Sequence, residues 1–185
     1  MVLSDTDMRQ AVEEGSIVYE RQQGEGIHYG PSSVDFHLGD YFLIPQAKNG
    51  VVDVTDRMTY PKYTRREELR LNPGEFALGF TDEWVSISPK YKALVHGRSS
   101  VGRLGPFIHN AGLIDGGFAG QITLELTNPA PYAIDFKEGM RAGQLSFYEH
   151  DNAPSCGYSD QSGSKYQDQT GAKPSELWRD FVGGP

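Results

Sequence analysis

Between Ser16 and His150 the chain is a train of short β-rich runs, each cut off by Gly, Pro, Asn or Asp. SIVYE, SVDFHLGDYFLI, VVDVT, EFALGFT, WVSI, KALVHG, FIHNAGLI, QITLELTN, YAIDF and QLSFYE follow in order. Such spacing predicts an all-β barrel or sandwich. Turns at Asn72-Pro73-Gly74, Ser88-Pro89 and Glu138-Gly139 fall where strands should break. In QITLELT the period of two puts Ile122, Leu124 and Leu126 on one face. Gln121, Thr123, Glu125 and Thr127 take the other, so Glu125 is not forced into the core. There is no internal repeat and no heptad.

Only the start of the chain reads as helix. Ser4 followed by Asp7 resembles a capping box, Met8, Ala11 and Val12 form a short apolar stripe, and Gly15 is a stop. The expected helix runs from about Asp5 to Glu14 and covers one end of a sheet. After His150 the apolar periodicity ends and Gly, Ser, Gln and Asp dominate. Residues 1–150 therefore read as one β domain and 151–185 as a tail, flexible or ordered by something else. Within it PSELWRDF predicts a last helical turn, with Trp178 and Phe181 as a docking pair.

A chain of 185 residues is long enough for one domain with a real core. Its net charge of −8 argues against nucleic acid or an anionic membrane as partner. Cationic function must then be local, which puts weight on Arg98, Arg103, Arg141 and Lys165. The single cysteine, Cys156, allows neither an internal disulfide nor a Cys-based zinc site. His28, His37, His96, His109 and His150 show no HxxxH or HExxH spacing. The N-terminus lacks an apolar signal region, and no apolar run nears the ~20 residues of a membrane helix. A reduced, cytoplasmic setting is the natural expectation.

The chemistry concentrates between Val95 and Gln121. Arg98-Ser99-Ser100-Val101-Gly102-Arg103 offers two guanidinium groups and two hydroxyls, which suit phosphate oxygens. If a short helix starts there, Ser99 and Arg103 share a face. The plainer reading is a capped turn with solvated arginines. Asp115 sits in Gly112–Phe118, either as an Asx turn or as a carboxylate for a sugar hydroxyl or a water. Phe118 is either core or a stacking face, and His109 an ordinary loop histidine. Glu125, on a strand just downstream, is the favoured proton shuttle. Lys165 and Gln169, read alone, are solvated tail residues. Together these predict a site for a phosphorylated small molecule with acid–base chemistry beside it.

Taken in order, the motifs resemble dCTP deaminase, within the trimeric dUTPase-like superfamily. HGRSSVGRLG is similar to the family's GRSSLxRLG, and AGLIDGGFAGQITLELTN to AGxIDPGFxGxITLELxN. EGMRAGQLSFYE resembles PGMxIGQLxF, and SGSKYQDQTGAKPS resembles KYQxQxGPxPS. LSDTDMRQAVEEG, PSSVDFHLG and LNPGEFALGFTDEWVSI extend the likeness nearly end to end. The resemblance implies a distorted β-barrel of the dUTPase-like type with a short N-terminal helix and an extended C-terminal tail. It implies a homotrimer with sites at subunit interfaces, and Mg²⁺ bound with the triphosphate and not as catalyst.

Position by position, the resemblance implies that Arg98, Ser99, Ser100, Val101, Gly102 and Arg103 hold the triphosphate. Asp115 meets the deoxyribose 3′-hydroxyl. Thr123, Leu124 and Glu125 line the pyrimidine pocket, the first two partly through backbone. Gln144 faces the nucleotide, and Tyr158, Lys165 and Gln169 fold over the phosphates. Zinc nucleobase deaminases need His and Cys ligands that are missing here, so no zinc is expected. The chemistry falls to a water held by Ser99 and the backbone near Ala111, with Glu125 as general acid/base and Arg103 stabilising developing charge.

Departures from the pattern lie at His109–Asp115, one residue shorter than the family's HxTAG/HxID and without its Thr, at Pro106, and at Gly116 in place of Pro. The expected activity is conversion of dCTP to dUTP and ammonia, with dTTP a possible inhibitor from the relatives' behaviour. The alternatives are a bifunctional enzyme giving dUMP and pyrophosphate, a plain dUTPase, and a non-catalytic nucleotide binder.

Overall fold

The computed structural model describes residues 1–22, 24, 26–46, 50–108, 111–161 and 163–182. In chain order the elements are α1 (Asp5–Glu13), β1 (Ile17–Arg21), β2 (Tyr29–Gly30), β3 (Ser33–His37), β4 (Phe42–Pro45), β5 (Tyr63–Arg66) and β6 (Leu69–Leu71). There follow β7 (Phe76–Ile87), β8 (Tyr91–Gly97), α2 (Ser99–Gly102), β9 (Leu113–Ile114), β10 (Ala119–Thr127), β11 (Ile134–Phe136) and β12 (Arg141–Glu149). Among the described residues no helix is long and apolar enough to cross a membrane.

The twelve-residue strand β7 is the spine. It pairs antiparallel with β10 from Phe76 to Ser86, with β1 near its C-terminal end and with β4 at Leu78. β5 extends that sheet beyond β4. The second large sheet runs β2-β3-β12-β8-β9, and β6 with β11 forms a separate ribbon. An isolated bridge between Leu38 and Thr81 ties the two large sheets together. The mainly-β expectation holds. Among the described residues the hydrogen bonding does not close the sheets into one ring, so the barrel is a distorted, open one.

One continuous apolar core draws on both sheets. Phe36 and Phe147 from one, and Phe42, Ile87, Leu124 and Leu126 from the other, are all at most 1% exposed. Burying each such side chain is worth roughly 1.5–3 kcal/mol. The three even positions of β10 point inward as the alternation predicted: Ile122, Leu124 and Leu126 are buried.

The N-terminal helix forms where expected. Ser4 Oγ accepts from Asp7 N–H at 3.3 Å, and Asp7 Oδ2 accepts from Ser4 N–H at 3.0 Å, completing the capping box. The Ser4 hydroxyl, donating to Asp7 Oδ2 at 2.8 Å, and then the Ser4 N–H hold the Asp7 carboxyl below its usual range. Gly15 closes the helix in the left-handed region, φ +70°. Met8 and Ala11 are its buried residues, and Leu3 N–H donates to Phe147 O at 2.9 Å beside it.

Among the described residues the carboxylates of Asp35, Asp82 and Glu83 are buried, and so is His37. Glu83, 1% exposed on its side chain, accepts from His37 N–H at 2.9 Å and lies 2.6 Å from His37 Nδ1. Burial raises its pKa, and the contacts with His37 oppose that rise only in part.

The segment after His150 is ordered by backbone pairing with β10. Tyr158 N–H donates to Gly116 O at 2.8 Å, Asp168 N–H to Ala119 O at 2.8 Å, and Gln121 N–H to Gln169 O at 2.9 Å. Gly117, at φ +93°, leaves no room for a side chain, because a Cβ there would lie 2.7 Å from Tyr158 N. Leu177–Asp180 form the predicted last turn, of 3-10 type. Trp178 docks under Arg57, whose guanidinium carbon is 4.8 Å above its ring centroid, while Phe181 stays exposed.

Candidate active site

The site is built on an irregularity in the spine pair. Gln121 opposes Trp84 and Thr123 opposes Phe80, so three residues of β7 face Ile122 alone. The buried Thr81 bridges the gap: its Oγ1 accepts from Ile122 N–H at 2.9 Å and donates to Glu83 O at 2.9 Å. Bulges of this kind re-aim the side chains that follow them. Immediately downstream, Thr123 and Glu125 line a cavity of about 450 Å³.

The walls of that cavity come from five places, one of them Tyr63 of β5. β10 supplies Ile122, Thr123 and Glu125, and β7 supplies Phe76 and Leu78. The stretch before β10 supplies Ala111, Asp115 and Phe118, and the C-terminal segment supplies Tyr158, Tyr166, Gln169 and Lys173. Ala111 N–H donates to Glu125 Oε2 at 3.4 Å, so the backbone expected to hold a water lies beside the expected proton shuttle. Lys173 N–H donates to Thr123 Oγ1 at 3.0 Å and seats the end of the segment on β10. Phe118 is both core and wall, meeting Tyr158 edge-on with ring centroids 5.8 Å apart. His109 and Asn110, the start of the shortened loop, lie outside the described residues.

Thus Ala111, Asp115, Thr123, Glu125, Tyr158 and Gln169, all expected from the sequence, share one cavity. Leu124 lies between them in the strand but is fully buried, which leaves only its backbone for that side. Lys165 is not among the lining residues; it is ion-paired with Asp180, and its N–H donates to Tyr158 Oη at 3.3 Å.

A second group of expected residues, in the α2 turn after β8 and on the adjoining β12, is not among the residues lining this cavity. Arg98 caps α2, with Val101 N–H and Gly102 N–H both donating to its carbonyl at 2.9 Å. Val101 is buried and anchors the turn, whereas Ser99, Ser100, Gly102 and Arg103 are exposed. A single helical turn has little dipole, so anion binding here rests on the side chains. Gln144 of β12 lies nearby, since Arg98 N–H meets Ala142 O at 3.4 Å. Its Nε2 donates to Asp35 Oδ1 at 3.0 Å, and Arg141 Nη1 approaches the same carboxylate at 3.2 Å. The sequence reading did not single out Tyr63, Phe76, Leu78, Tyr166, Lys173 or Ser175, which also line the cavity. Phe76 and Leu78 fall within LNPGEFALGFTDEWVSI and Tyr166, Lys173 and Ser175 within SGSKYQDQTGAKPS, but only the long-range packing of β5, β7 and the C-terminal segment around β10 brings them to one cavity.

One chain therefore presents a nucleotide-sized cavity, largely apolar with Asp115, Thr123, Glu125 and Gln169 in its wall, and, elsewhere, an exposed serine- and arginine-rich turn, on an open β framework. The framework is the dUTPase-like fold. A 2′-deoxycytidine 5′-triphosphate deaminase from Agrobacterium tumefaciens superposes with a TM-score of 0.62 at 20% identity, covering 80% of this chain and 48% of that one. The chain thus spans about half the length of that solved structure. The dUTPase of EIAV superposes with a TM-score of 0.50 at 20% identity, covering 80% and 98%.

Sequence comparison narrows the class. The family model described as dCTP deaminase-like matches residues 2–150. The dCTP deaminase of Halorubrum lacusprofundi is 40% identical over 97% of this chain and 93% of its own. The dUMP-forming dCTP deaminase of Methanopyrus kandleri is 36% identical over 99% of each chain. The chain belongs to the dCTP deaminase-like family.

Proposed function

We propose that the protein hydrolyses dCTP to dUTP and ammonia without zinc, with Glu125 as general acid/base. The observation that supports this best is the placement of the Glu125 carboxylate in the cavity wall, 3.4 Å from the Ala111 N–H. Cytosine would lie against Thr123 and Glu125, and Asp115 would accept the sugar 3′-hydroxyl. A water between Glu125 and the Ala111 backbone loses a proton to the carboxylate as its oxygen adds to C4. Glu125 passes that proton to N3. It then takes the proton of the new hydroxyl and delivers it to the amino group, which leaves as ammonia while the C4 carbonyl forms.

The triphosphate would be gripped by the Arg98–Arg103 turn and Gln144 of a second subunit. Those residues do not line the cavity of their own chain, and a homotrimer with shared sites unites the two groups. Ser99 and Arg103 would then reach the reacting centre from across the interface. The segment from residue 151 onward serves as the outer wall, with Tyr158, Lys165 and Gln169 nearest the nucleotide. Among the described residues no cluster of three or more His, Cys, Asp or Glu is placed to hold a metal ion. Mg²⁺ would arrive on the phosphate oxygens and keep several of its waters, and when bound it would neutralise triphosphate charge. A cytoplasmic setting and inhibition by dTTP belong to the same reading.

A dUMP-forming enzyme is the second reading, favoured by relatives bearing that name at 36–40% identity. The test is incubation with dCTP or dUTP plus Mg²⁺, with nucleotides and ammonia resolved. dUTP and ammonia support the main reading, and dUMP with pyrophosphate supports the second. Turnover of dUTP alone, or of neither, ends both.

A further inference from the structure

Gln121 has no part in the chemistry above, yet its side chain and backbone together join β7, β10 and the C-terminal segment. It is 4% exposed. Its Nε2 donates to Thr81 O at 3.1 Å and to Asp82 O at 3.4 Å, fixing the amide against the bulged part of β7. Its Oε1 is thereby aimed outward, where it accepts from Gly171 N–H at 2.7 Å. Its backbone N–H donates to Gln169 O at 2.9 Å, and its carbonyl accepts from Gln169 Nε2. One residue thus grips the segment on both sides of Thr170, from a position locked by the sheet beneath.

The gripped stretch carries part of the cavity wall. Gln169 and Lys173 both line it, two residues to either side of Gly171. Gly171 cannot move closer or carry a side chain: it adopts φ +67°, and a Cβ there would collide with Tyr41 Oη. Among the described residues the Gln169 side-chain oxygen is buried without a hydrogen-bond partner.

We propose that Gln121 is a positioning residue for the nucleotide site: its amide latches residues 167–173 onto β10 and so sets Gln169 and Lys173 in the cavity wall. This rests on the deaminase reading, because it assigns the latch a role in binding that enzyme's substrate. It touches no reacting atom and acts only through the segment it holds.

The test uses the full chain with Gln121→Leu, which keeps the bulk and removes the amide. Gly171→Ala disturbs the same contact from the segment side and stands in if the first variant does not fold. Two quantities are read: amide hydrogen exchange across 167–173, and steady-state kinetics with dCTP. Loss of the latch should speed exchange in 167–173 by roughly ten-fold or more while β7 and β12 keep their protection. KM for dCTP should rise about ten-fold with kcat changed less than about three-fold, since binding and not proton transfer is affected. A merely structural role would lower the folded fraction and leave KM alone. Unchanged exchange in 167–173 overturns the latch, and faster exchange with unaltered KM overturns its role in positioning. If the unmodified protein fails to deaminate dCTP, the functional reading falls, and the exchange measurement still decides whether Gln121 holds the segment.

Discussion

Replacing Thr81 by Val tests whether the bulge between β7 and β10 depends on one hydroxyl. The two side chains have the same shape, and Thr81 is fully buried, so packing barely changes. What disappears is the acceptor for Ile122 N–H and the donor to Glu83 O, both at 2.9 Å. A buried N–H left without a partner costs about 1–3 kcal/mol, and the lost bond to the carbonyl about 0.5–1.5 kcal/mol more. The sum is about 1.5–4.5 kcal/mol, which for a chain of this size corresponds to a Tm lower by roughly 3–18 °C. Urea unfolding at one fixed protein concentration measures it, since assembly would shift apparent stability. Thr81→Ser keeps the hydroxyl and should stay much nearer the parent protein. Because Thr123 and Glu125 follow the bulge directly, Thr81→Val should also lower kcat for dCTP. Stability within about 0.5 kcal/mol of the parent, with the same m-value, would refute the reasoning.

Other outcomes follow from the same geometry. Glu125→Gln should reduce ammonia release from dCTP by about 10²–10⁴-fold, the usual worth of a positioned acid/base, while nucleotide binding persists; near-normal turnover removes Glu125 from the mechanism. Ser4→Ala should destabilise α1 by about 1 kcal/mol, read by thermal unfolding, through loss of the capping box. Burial raises the Glu83 pKa above 4.5 in the folded protein, so the native state holds that proton more tightly than the unfolded chain. Its contribution to stability is then largest in acid and is lost as pH rises from about 4.5 through the folded pKa. Glu83→Gln should flatten that part of the stability–pH curve, measured by urea midpoints across pH 4–7; an unchanged slope rules Glu83 out as its source.

Local signals were read well because local physics decided them. The Ser4–Asp7 box, the Gly15 stop and the alternation of Ile122, Leu124 and Leu126 each depend on residues within one or two turns or strand repeats. Asp115, Thr123 and Glu125 were legible as a group because β10 and the turn before it are contiguous in sequence. The bulge was not legible. QITLELT alternates without interruption, and the extra residues lie on β7, some forty positions upstream. The pairing of residues 167–173 with β10 was equally hidden, since Gln, Asp, Thr and Gly in that stretch compose a polar tail by every local criterion. What orders it is a set of backbone bonds offered by β10, with Gln121 as clamp. Tyr63 and Lys173 reach the cavity from strand β5 and the far end of the chain, which no spacing rule connects.

The length of β7 has a cost during synthesis. Its β1 partner has already been made when Ile87 emerges, but the strand that pairs along most of its other edge ends only at Thr127, about 40 residues later. At ~5–20 residues per second the ribosome leaves that edge unpaired for roughly 2–8 s. An open edge carrying Phe76, Phe80, Trp84 and Val85 is a template for joining the wrong chain. Yield of the nascent protein should therefore depend on chaperone supply and on growth temperature more steeply than the stability of the finished fold would suggest.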